Sequence, residues 1–246
     1  MIVLSAGLPK SGTGLLFNLT NDLLEQAGHI GVRRLREIHH LEDLLEFHNC
    51  LIDTFSWNAA RRLLPLHWRG HRFVVKTHGG PNPVMRVLSR AGILRATYLY
   101  RDPRDVVLSA IDHGRKLREQ GQTHTFAKCR SLEDTIPFAM RWLVRTTPWM
   151  RARSVLCMRY EDLIGNPLRQ MEKLAAFLDI DPGAAGISLE TLYRAYDIRD
   201  GSSSKKNALH LNRGIAGRFR NEMSVKDLAR CNQAFRDYLP LLGYEP

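Results

Sequence analysis

The stretch Ile2-Val-Leu-Ser-Ala-Gly-Leu-Pro-Lys-Ser-Gly-Thr-Gly14 begins with an apolar run and then carries three glycines within eight residues. An apolar strand, a glycine-containing turn and a helix, in that order, are typical of phosphate-binding loops, because free N–H groups and the helix dipole both favour an anion at a helix N-terminus. Lys10 and the hydroxyls of Ser11 and Thr13 add further donors. A turn that only connects strand and helix is the alternative, but the convergence of a lysine and two hydroxyls favours an anion site. Since the ATP-type loop carries its lysine after its last glycine, the sequence predicts a different anion-binding loop over residues 7–14.

Apolar periodicity along the rest of the chain predicts the fold class. The predicted buried strands are Ile2–Ala6, Phe73–Lys76, Thr97–Tyr100 and Val155–Arg159. The predicted helices cover Gly14–Ala27, a segment with Leu41, Leu44, Leu45 and His48, a long segment after Pro103, and then Leu132–Trp149, Pro167–Leu178, Leu189–Tyr196 and Val225–Tyr238. Strands that alternate with helices predict an α/β fold, a single domain over residues 1–246 with a central parallel sheet flanked by helices.

Ligands of such sheets bind beyond the carboxyl ends of the strands, so the residues that follow each strand are candidate site residues. After the second strand, Lys76 can neutralise oxygen charge and His78 can accept a proton near neutral pH. On these residues alone a surface histidine beside a solvated lysine is the better interpretation, since the chain has ten histidines. After the third strand, Arg101 offers a planar fork that suits phosphate, whereas Asp102 and Asp105 are interpreted as capping residues of the next helix.

Two further segments are candidates. Tyr160 follows the fourth strand, and its ring is equally consistent with packing on a nucleotide base and with packing in the core. Residues 200–220 combine glycines and serines with lysines and arginines. We interpret this segment as a mobile basic loop that closes over a ligand.

The bulk composition limits the class of protein. The chain has 246 residues, 44% of them hydrophobic and 25% charged, which suits one globular domain. A net charge of +11 indicates an anionic partner, whether nucleotide, nucleic acid or acidic glycan. The four cysteines are far apart and lack metal-ligand spacing, which predicts free thiols and no metal site. Without an apolar run of about 18 residues or a leader-like N-terminus, we expect a cytoplasmic protein with no membrane span.

Five segments taken together resemble the sulfotransferases that use 3′-phosphoadenosine 5′-phosphosulfate (PAPS). Pro9-Lys-Ser-Gly-Thr13 is similar to the family's 5′-phosphosulfate loop, and Lys76-Thr-His78 to its catalytic Lys-x-His. Tyr98–Ser109 is similar to its 3′-phosphate motif, and Tyr160-Glu-Asp-Leu163 to a further signature. Arg213–Asn221 is similar to the C-terminal glycine loop that closes over the nucleotide. Each motif is weak alone, but five in the family's order, from residue 9 to about 224, are specific.

The resemblance implies a role for each matching residue. His78 would be the general base, Lys10 would stabilise the leaving phosphate, and Lys76 would assist the sulfuryl group in transit. The residues that would bind the nucleotide are Pro9, Lys10, Ser11, Gly12, Thr13, Gly14, Arg101, Ser109, Tyr160, Arg213 and Gly214. The implied fold is the P-loop-NTPase-like sulfotransferase fold. The implied reaction is in-line sulfuryl transfer from PAPS to a hydroxyl or amine of a small-molecule or glycan acceptor, with 3′-phosphoadenosine 5′-phosphate (PAP) as product and no metal required.

The sequence departs from the family's pattern at three positions. Leu15 stands where many members carry a tryptophan that packs on adenine, and Gly14 replaces a second threonine. Asn212 replaces the first of two basic residues before the C-terminal glycine. These changes leave open which residue contacts the adenine base. Binding of the 3′-phosphate would depend more on Arg213 or on nearby Lys205 and Lys206.

Other functions are compatible with parts of the sequence. A P-loop nucleotide kinase or NTPase would use the same sheet, but the third strand ends in Arg101 and not in an aspartate of the Walker-B type. A nucleic-acid-binding protein would fit the charge, but the basic residues are scattered and aromatics are only 8%. A relative that binds nucleotide without transfer is the third alternative, against which Lys10 and His78 weigh. The sequence determines neither the acceptor nor the oligomeric state.

Overall fold

The computed structural model describes residues 1–46, 49–196 and 214–246. Within these ranges, five parallel strands form one sheet in the order β2-β3-β1-β4-β5. The strands are β1 Ile2–Gly7, β2 Leu51–Ile52, β3 Phe73–Thr77, β4 Leu94–Tyr100 and β5 Val155–Arg159. All residues of β1 and β3 are buried, because helices cover both faces of the sheet.

Helices fill most of the connections between strands. They are α1 Thr13–Gln26, α2 Val32–Ile38, α3 Trp57–Trp68, α4 Pro83–Arg90, α5 Pro103–Glu119, α6 Leu132–Thr146, α7 Tyr160–Gly165, α8 Pro167–Phe177, α9 Leu189–Arg194, α10 Phe219–Glu222 and α11 Val225–Phe235. Local sequence signals fix several of their starts. Ser131 forms a capping box with Asp134 before α6, and Pro103 occupies the first turn of α5. The predicted α/β fold with a central parallel sheet is confirmed.

The predicted helix over Leu41–His48 is wrong in its described part. Residues 42–45 form turns, although Leu41 and Leu45 are buried as a helical pattern would require. Arg36 Nε donates a hydrogen bond to the Leu45 carbonyl at 2.7 Å, which holds the turn against the end of α2. His48 lies outside the described residues.

Other boundaries differ for local reasons. Helix α6 ends at Thr146 and continues as a 3-10 segment, Thr147–Arg151, because Pro148 has no N–H to extend the α-helical ladder. The sequence patterns did not predict α2, α3, α4, α7, α10 or β2. Strand β2 has only two residues and lies at the edge of the sheet, so no periodicity can reveal it.

The strand order places the candidate site. The chain leaves β1 toward the edge that holds β2, and it leaves β4 toward the opposite edge, which holds β5. A crevice opens between the carboxyl ends of neighbouring strands whose connections run in opposite directions. The loop between β1 and α1 and the residues after β4 therefore meet at one crevice, with the end of β3 beside them.

Candidate active site

The loop between β1 and α1 has the geometry of an anion cradle. Two of its residues have left-handed backbones, Lys10 with φ of 70° and Gly12 with φ of 89°. Among the residues the structure describes, the N–H groups of Gly12, Thr13 and Gly14 have no hydrogen-bond acceptor. Three free donors at the start of a 14-residue helix suit an oxyanion.

The hydroxyl of Ser11 connects the loop to strand β4. It donates to the Leu8 carbonyl at 2.6 Å, and the Leu99 carbonyl oxygen lies 3.0 Å away. The Ser11 N–H also donates to Leu8, at 3.1 Å. The side chain is fully buried, so its contacts hold the loop on β4 rather than face solvent.

Both the backbone conformation at position 12 and the neighbouring Tyr160 ring require a glycine there. A Cβ there would lie 2.7 Å from the ring of Tyr160, and the left-handed backbone would add strain. Tyr160 is 2% exposed, and its ring also lies 4.4 Å from the Arg101 guanidinium carbon. The ring thus fills the space under the loop, and its proposed place beside adenine stays a prediction. A Cβ on Gly14, in contrast, would meet nothing within 4 Å.

His78 lies beside the loop with one tautomer fixed. Its Nδ1 is 2.8 Å from the Gly7 carbonyl oxygen. Since a carbonyl only accepts, Nδ1 carries the proton, and Nε2 is left with a free lone pair. The ring also makes an edge contact with Trp142, with centroids 6.0 Å apart.

Positive charge and burial dominate the electrostatics of the site. Burial, together with the charge of Lys76, lowers the pKa of His78 to about 3, although the bond to Gly7 acts in the opposite direction. Burial lowers the pKa of Lys76 to about 8. Burial and the neighbouring charges of Lys76, Lys116 and Arg101 lower the pKa of Lys10 to about 8. Such a site is short of negative charge, and a bound anion would stabilise both lysines in their charged forms.

Arg101 and Asp105 form a buried junction with the C-terminal segment. Asp105 is fully buried and accepts from Arg101 Nη2 at 2.9 Å, from the Gly217 N–H at 2.7 Å and from the Phe219 N–H at 3.1 Å. Arg101 Nη2 also donates to the Ile215 carbonyl at 2.6 Å. Its buried Nε has no hydrogen-bond partner among the described residues.

This junction corrects one sequence interpretation and confirms another. Asp105 is more than a capping residue, since it holds a segment more than 100 positions away. Asp102 is the N-cap of α5, as predicted, and accepts from the Arg104 N–H at 2.9 Å. It also pairs with the guanidinium of Arg104 through both carboxylate oxygens.

The remaining predicted residues are distributed as follows. Ser109 is buried on α5, and Pro9 is buried in the loop. Gly214 has a left-handed backbone, with φ of 68°. Arg213 lies outside the described residues, as do Lys205, Lys206 and Asn212. Leu15 is 4% exposed and belongs to the main core.

Sequence reasoning missed an aromatic wall beside His78. The ring centroids of Phe126 and Phe138 are 5.0 Å apart, and those of Phe138 and Trp142 are 6.3 Å apart. Lys10 Nζ lies 5.6 Å above the Phe126 ring, and the Arg145 guanidinium 5.3 Å above the Trp142 ring. The three rings follow strand β4 in the chain, with Phe126 in the 3-10 segment Thr125–Lys128 and Phe138 and Trp142 on α6. Contacts between segments distant in sequence bring these rings to His78, so no local motif predicts them.

The described residues contain neither a metal cluster nor a membrane-spanning helix. No group of three or more histidine, cysteine, aspartate or glutamate side chains there could hold a metal ion. No helix in the described ranges combines the length and the apolar character needed to span a membrane.

Fold and site together define an α/β protein with a glycine-containing loop at the carboxyl edge of its sheet, and free backbone N–H groups lie at the end of that loop. The chain belongs to the sulfotransferase family, whose sulfotransferase domain model matches residues 2–243. Sulfotransferase 4A1 of mouse and of human is similar to it, with 24% identity over 247 residues in each case. Each alignment covers 94% of this chain and 81% of the relative. The resemblance drawn from the motifs is confirmed at the level of the family.

Solved structures show the same fold. Mouse sulfotransferase SULT7A1 complexed with PAP superposes with a TM-score of 0.59 at 18% identity, covering 96% of this chain and 82% of that one. Retinol dehydratase in complex with androsterone and the inactive cofactor PAP gives a TM-score of 0.55 at 19% identity, covering 97% and 80%. The predicted P-loop-like sulfotransferase fold is therefore confirmed.

Proposed function

We propose that this protein transfers the sulfuryl group of PAPS to a hydroxyl or amine of a small acceptor. The observation that carries the proposal is the meeting of four features at one end of the sheet: His78 with its proton fixed on Nδ1, the buried Lys76, the half-buried Lys10 and three free backbone N–H donors. The family relationship supports sulfuryl transfer in general, and the PAP named in the complexes of SULT7A1 and retinol dehydratase supports the donor.

The binding roles follow from the donors that are available. We assign the 5′-phosphosulfate to the free N–H groups at the start of α1 and to the charge of Lys10. We assign the 3′-phosphate to Arg101, whose Nε has no partner in the described part of the chain, with Ser109 on the adjacent helix and Gly214 in the C-terminal segment. Arg213 would add a second guanidinium, in keeping with the family's motif.

The transfer step is assigned to His78. Its Nε2 accepts the proton of the acceptor hydroxyl while the acceptor oxygen bonds to sulfur. The bond between sulfur and the bridging oxygen of the 5′-phosphate breaks, and the charge that collects on that oxygen is stabilised by Lys10. Lys76 stabilises the equatorial oxygens of the sulfuryl group. The products are the sulfated acceptor, PAP and a proton, which leaves from His78.

The aromatic wall favours an acceptor with an apolar body. Trp142 contacts His78 at a ring edge, and the half-buried rings of Trp142 and Phe126 both pack on the buried Phe138. Exposed aromatic surface of this kind binds planar or apolar groups. An acidic glycan would need free basic side chains, but of the arginines on α2, Arg33 donates to Asn18 Oδ1 and Arg36 donates to the Leu45 carbonyl. Their engagement within the fold favours a small-molecule acceptor over a glycan.

The C-terminal segment is proposed to complete the nucleotide site. Residues 200–220 were predicted to close over the nucleotide, and those at 200–213 lie outside the described residues. The described end is fixed to α5, since Arg218 Nη2 donates to Asp112 at 2.8 Å and Asp105 binds the Gly217 and Phe219 N–H groups. Because residues 217–219 are fixed to α5, Gly214 would be held beside Arg101.

A thermal unfolding comparison tests the nucleotide assignment. PAP at about 100 times its dissociation constant should raise the free energy of unfolding by about 2.7 kcal/mol. AMP, which lacks only the 3′-phosphate, and ATP with magnesium should raise the unfolding temperature much less at the same concentrations. Equal stabilisation by AMP and PAP would remove the 3′-phosphate site from the proposal, and stabilisation by ATP with magnesium alone would favour a kinase.

A further inference from the structure

A cavity of about 600 Å³ lies outside the proposed active site. It opens to solvent and is lined by residues of α4, by the 3-10 segment Thr147–Arg151 that follows α6, and by Tyr238 and Leu241 near the C-terminus. None of the catalytic or nucleotide-binding residues assigned above lines it. Its volume lies within the range of pockets that hold small organic ligands.

Four exposed arginines are among the residues that line this cavity. They are Arg86, Arg90, Arg151 and Arg153. In the part of the chain that the structure describes, none of the four guanidinium groups makes a hydrogen bond or an ion pair. The lining includes no aspartate or glutamate. Arg86 and Arg90 are four positions apart on α4 and share one helical face, so their like charges repel each other.

The same cavity has an apolar surface. Met85 and Trp149 are buried beside it, whereas Val144 and Leu241 are 58% and 41% exposed. Water contact with such side chains is unfavourable, and an occupant with an apolar body would remove it. Unpaired guanidinium groups around an apolar surface are complementary to an anion that is itself partly apolar.

We propose that this cavity binds a small organic anion that joins an apolar body to a sulfate, sulfonate or phosphate group. The arginines bind the anionic group, and Val144 and Leu241 contact the apolar body over the buried Met85 and Trp149. Trp149 also links the cavity to the active site, because its Nε1–H donates to the carbonyl of Gly79, next to His78, at 2.8 Å. The proposal rests on the cavity alone and does not depend on the reaction assigned above.

Fluorescence titration with 1-anilinonaphthalene-8-sulfonate tests the proposal. This probe has an apolar body and one sulfonate, and the titration is run with PAP at saturation so that the nucleotide site does not contribute. Arg86→Gln with Arg90→Gln, and separately Arg151→Gln with Arg153→Gln, should each weaken the affinity by about tenfold. N-phenyl-1-naphthylamine, which lacks the sulfonate, should bind wild type and both variants within about twofold of one another.

A matched control separates an effect of the cavity arginines from an effect of the protein's net charge. Arg61→Gln with Arg69→Gln removes the same two charges from exposed positions at α3 and should change the affinity by less than about twofold, since surface charges away from the ligand are screened by salt. An equal loss in this control, or unchanged affinity in both cavity variants, would overturn the proposal. Binding of phosphatidylserine vesicles that requires the four arginines, with no effect of the arginines on the soluble probe, would show a membrane-facing surface and would also overturn it.

Discussion

Replacing His78 by alanine should lower kcat by about 10² or more while the affinity for PAP stays within about twofold of wild type. The bond to the Gly7 carbonyl fixes the proton on Nδ1, so Nε2 is the atom that can accept a proton. Alanine removes that acceptor but leaves the three free N–H groups at the start of α1 and the charge of Lys10. Steady-state kinetics with PAPS, beside calorimetry with PAP, separate the two effects.

His29→Ala is the matched control for this substitution. His29 lies near Arg72, the N-terminal amine and His71, at the amino end of the sheet and away from the crevice, so its loss should leave kcat unchanged. A His78→Ala enzyme that keeps more than about one third of wild-type kcat would remove His78 from the mechanism. A large loss of PAP affinity would show that His78 acts in nucleotide binding.

The pH dependence of kcat/KM for PAPS follows from the same groups. Because the pKa of His78 is lowered to about 3, the imidazole is already neutral at any pH at which the protein is assayed, and no loss of rate from its protonation is expected between pH 5 and 7. Since the pKa values of Lys10 and Lys76 are lowered to about 8, kcat/KM should fall as the pH rises through 8 and both ammonium groups lose their protons.

Replacing Lys10 by methionine should lower kcat by about 10²–10³ and weaken PAP binding much less. The ammonium group is proposed to stabilise charge that develops on the leaving oxygen, and that charge is greatest in the transition state. In the free protein, burial and the positive charges of Lys76 and Lys116 disfavour the ammonium group. Methionine relieves this repulsion, so part of the binding energy lost with the charge is offset.

Kinetics beside PAP calorimetry provide the measurement for Lys10. Lys128→Met removes an exposed lysine from the neighbouring 3-10 segment Thr125–Lys128 and serves as the control, with kcat expected within about twofold of wild type. If Lys10→Met reduces PAP affinity by the same factor as kcat/KM and leaves kcat intact, Lys10 only binds the nucleotide and the leaving-group role is wrong.

The sequence was sufficient for the parts of the molecule that depend on local patterns. Strands β1 and β3 are buried throughout because helices cover both faces of the sheet. The predicted positions of β1, β3, β4 and β5 agree with the structure to within a few residues. The loop after β1 could be recognised because its glycines, Lys10 and the start of α1 lie next to one another in the chain.

Features that depend on contacts distant in sequence could not be predicted. Asp105 looks like an ordinary residue of a helix's first turn, and only the folded chain brings Gly217 and Phe219 to its carboxylate. The aromatic wall likewise joins Phe126, which follows α5, to Trp142 on α6. The turn at Leu41–Leu45 buries leucines at helical spacing without a helix, so periodicity alone gave the wrong element there.

Transfer of labelled sulfur tests the central claim most directly. The protein is incubated with PAPS carrying ³⁵S and a panel of phenols, alcohols and amines, in buffer that contains a chelator, beside His78→Ala as a matched control. We expect labelled acceptor and PAP to form in equal amounts, at a rate at least about 10² times that of His78→Ala. Two results would contradict sulfuryl transfer at this site. One is that wild type and His78→Ala label the acceptor at the same rate. The other is that wild type labels none of the acceptors above the level seen with His78→Ala.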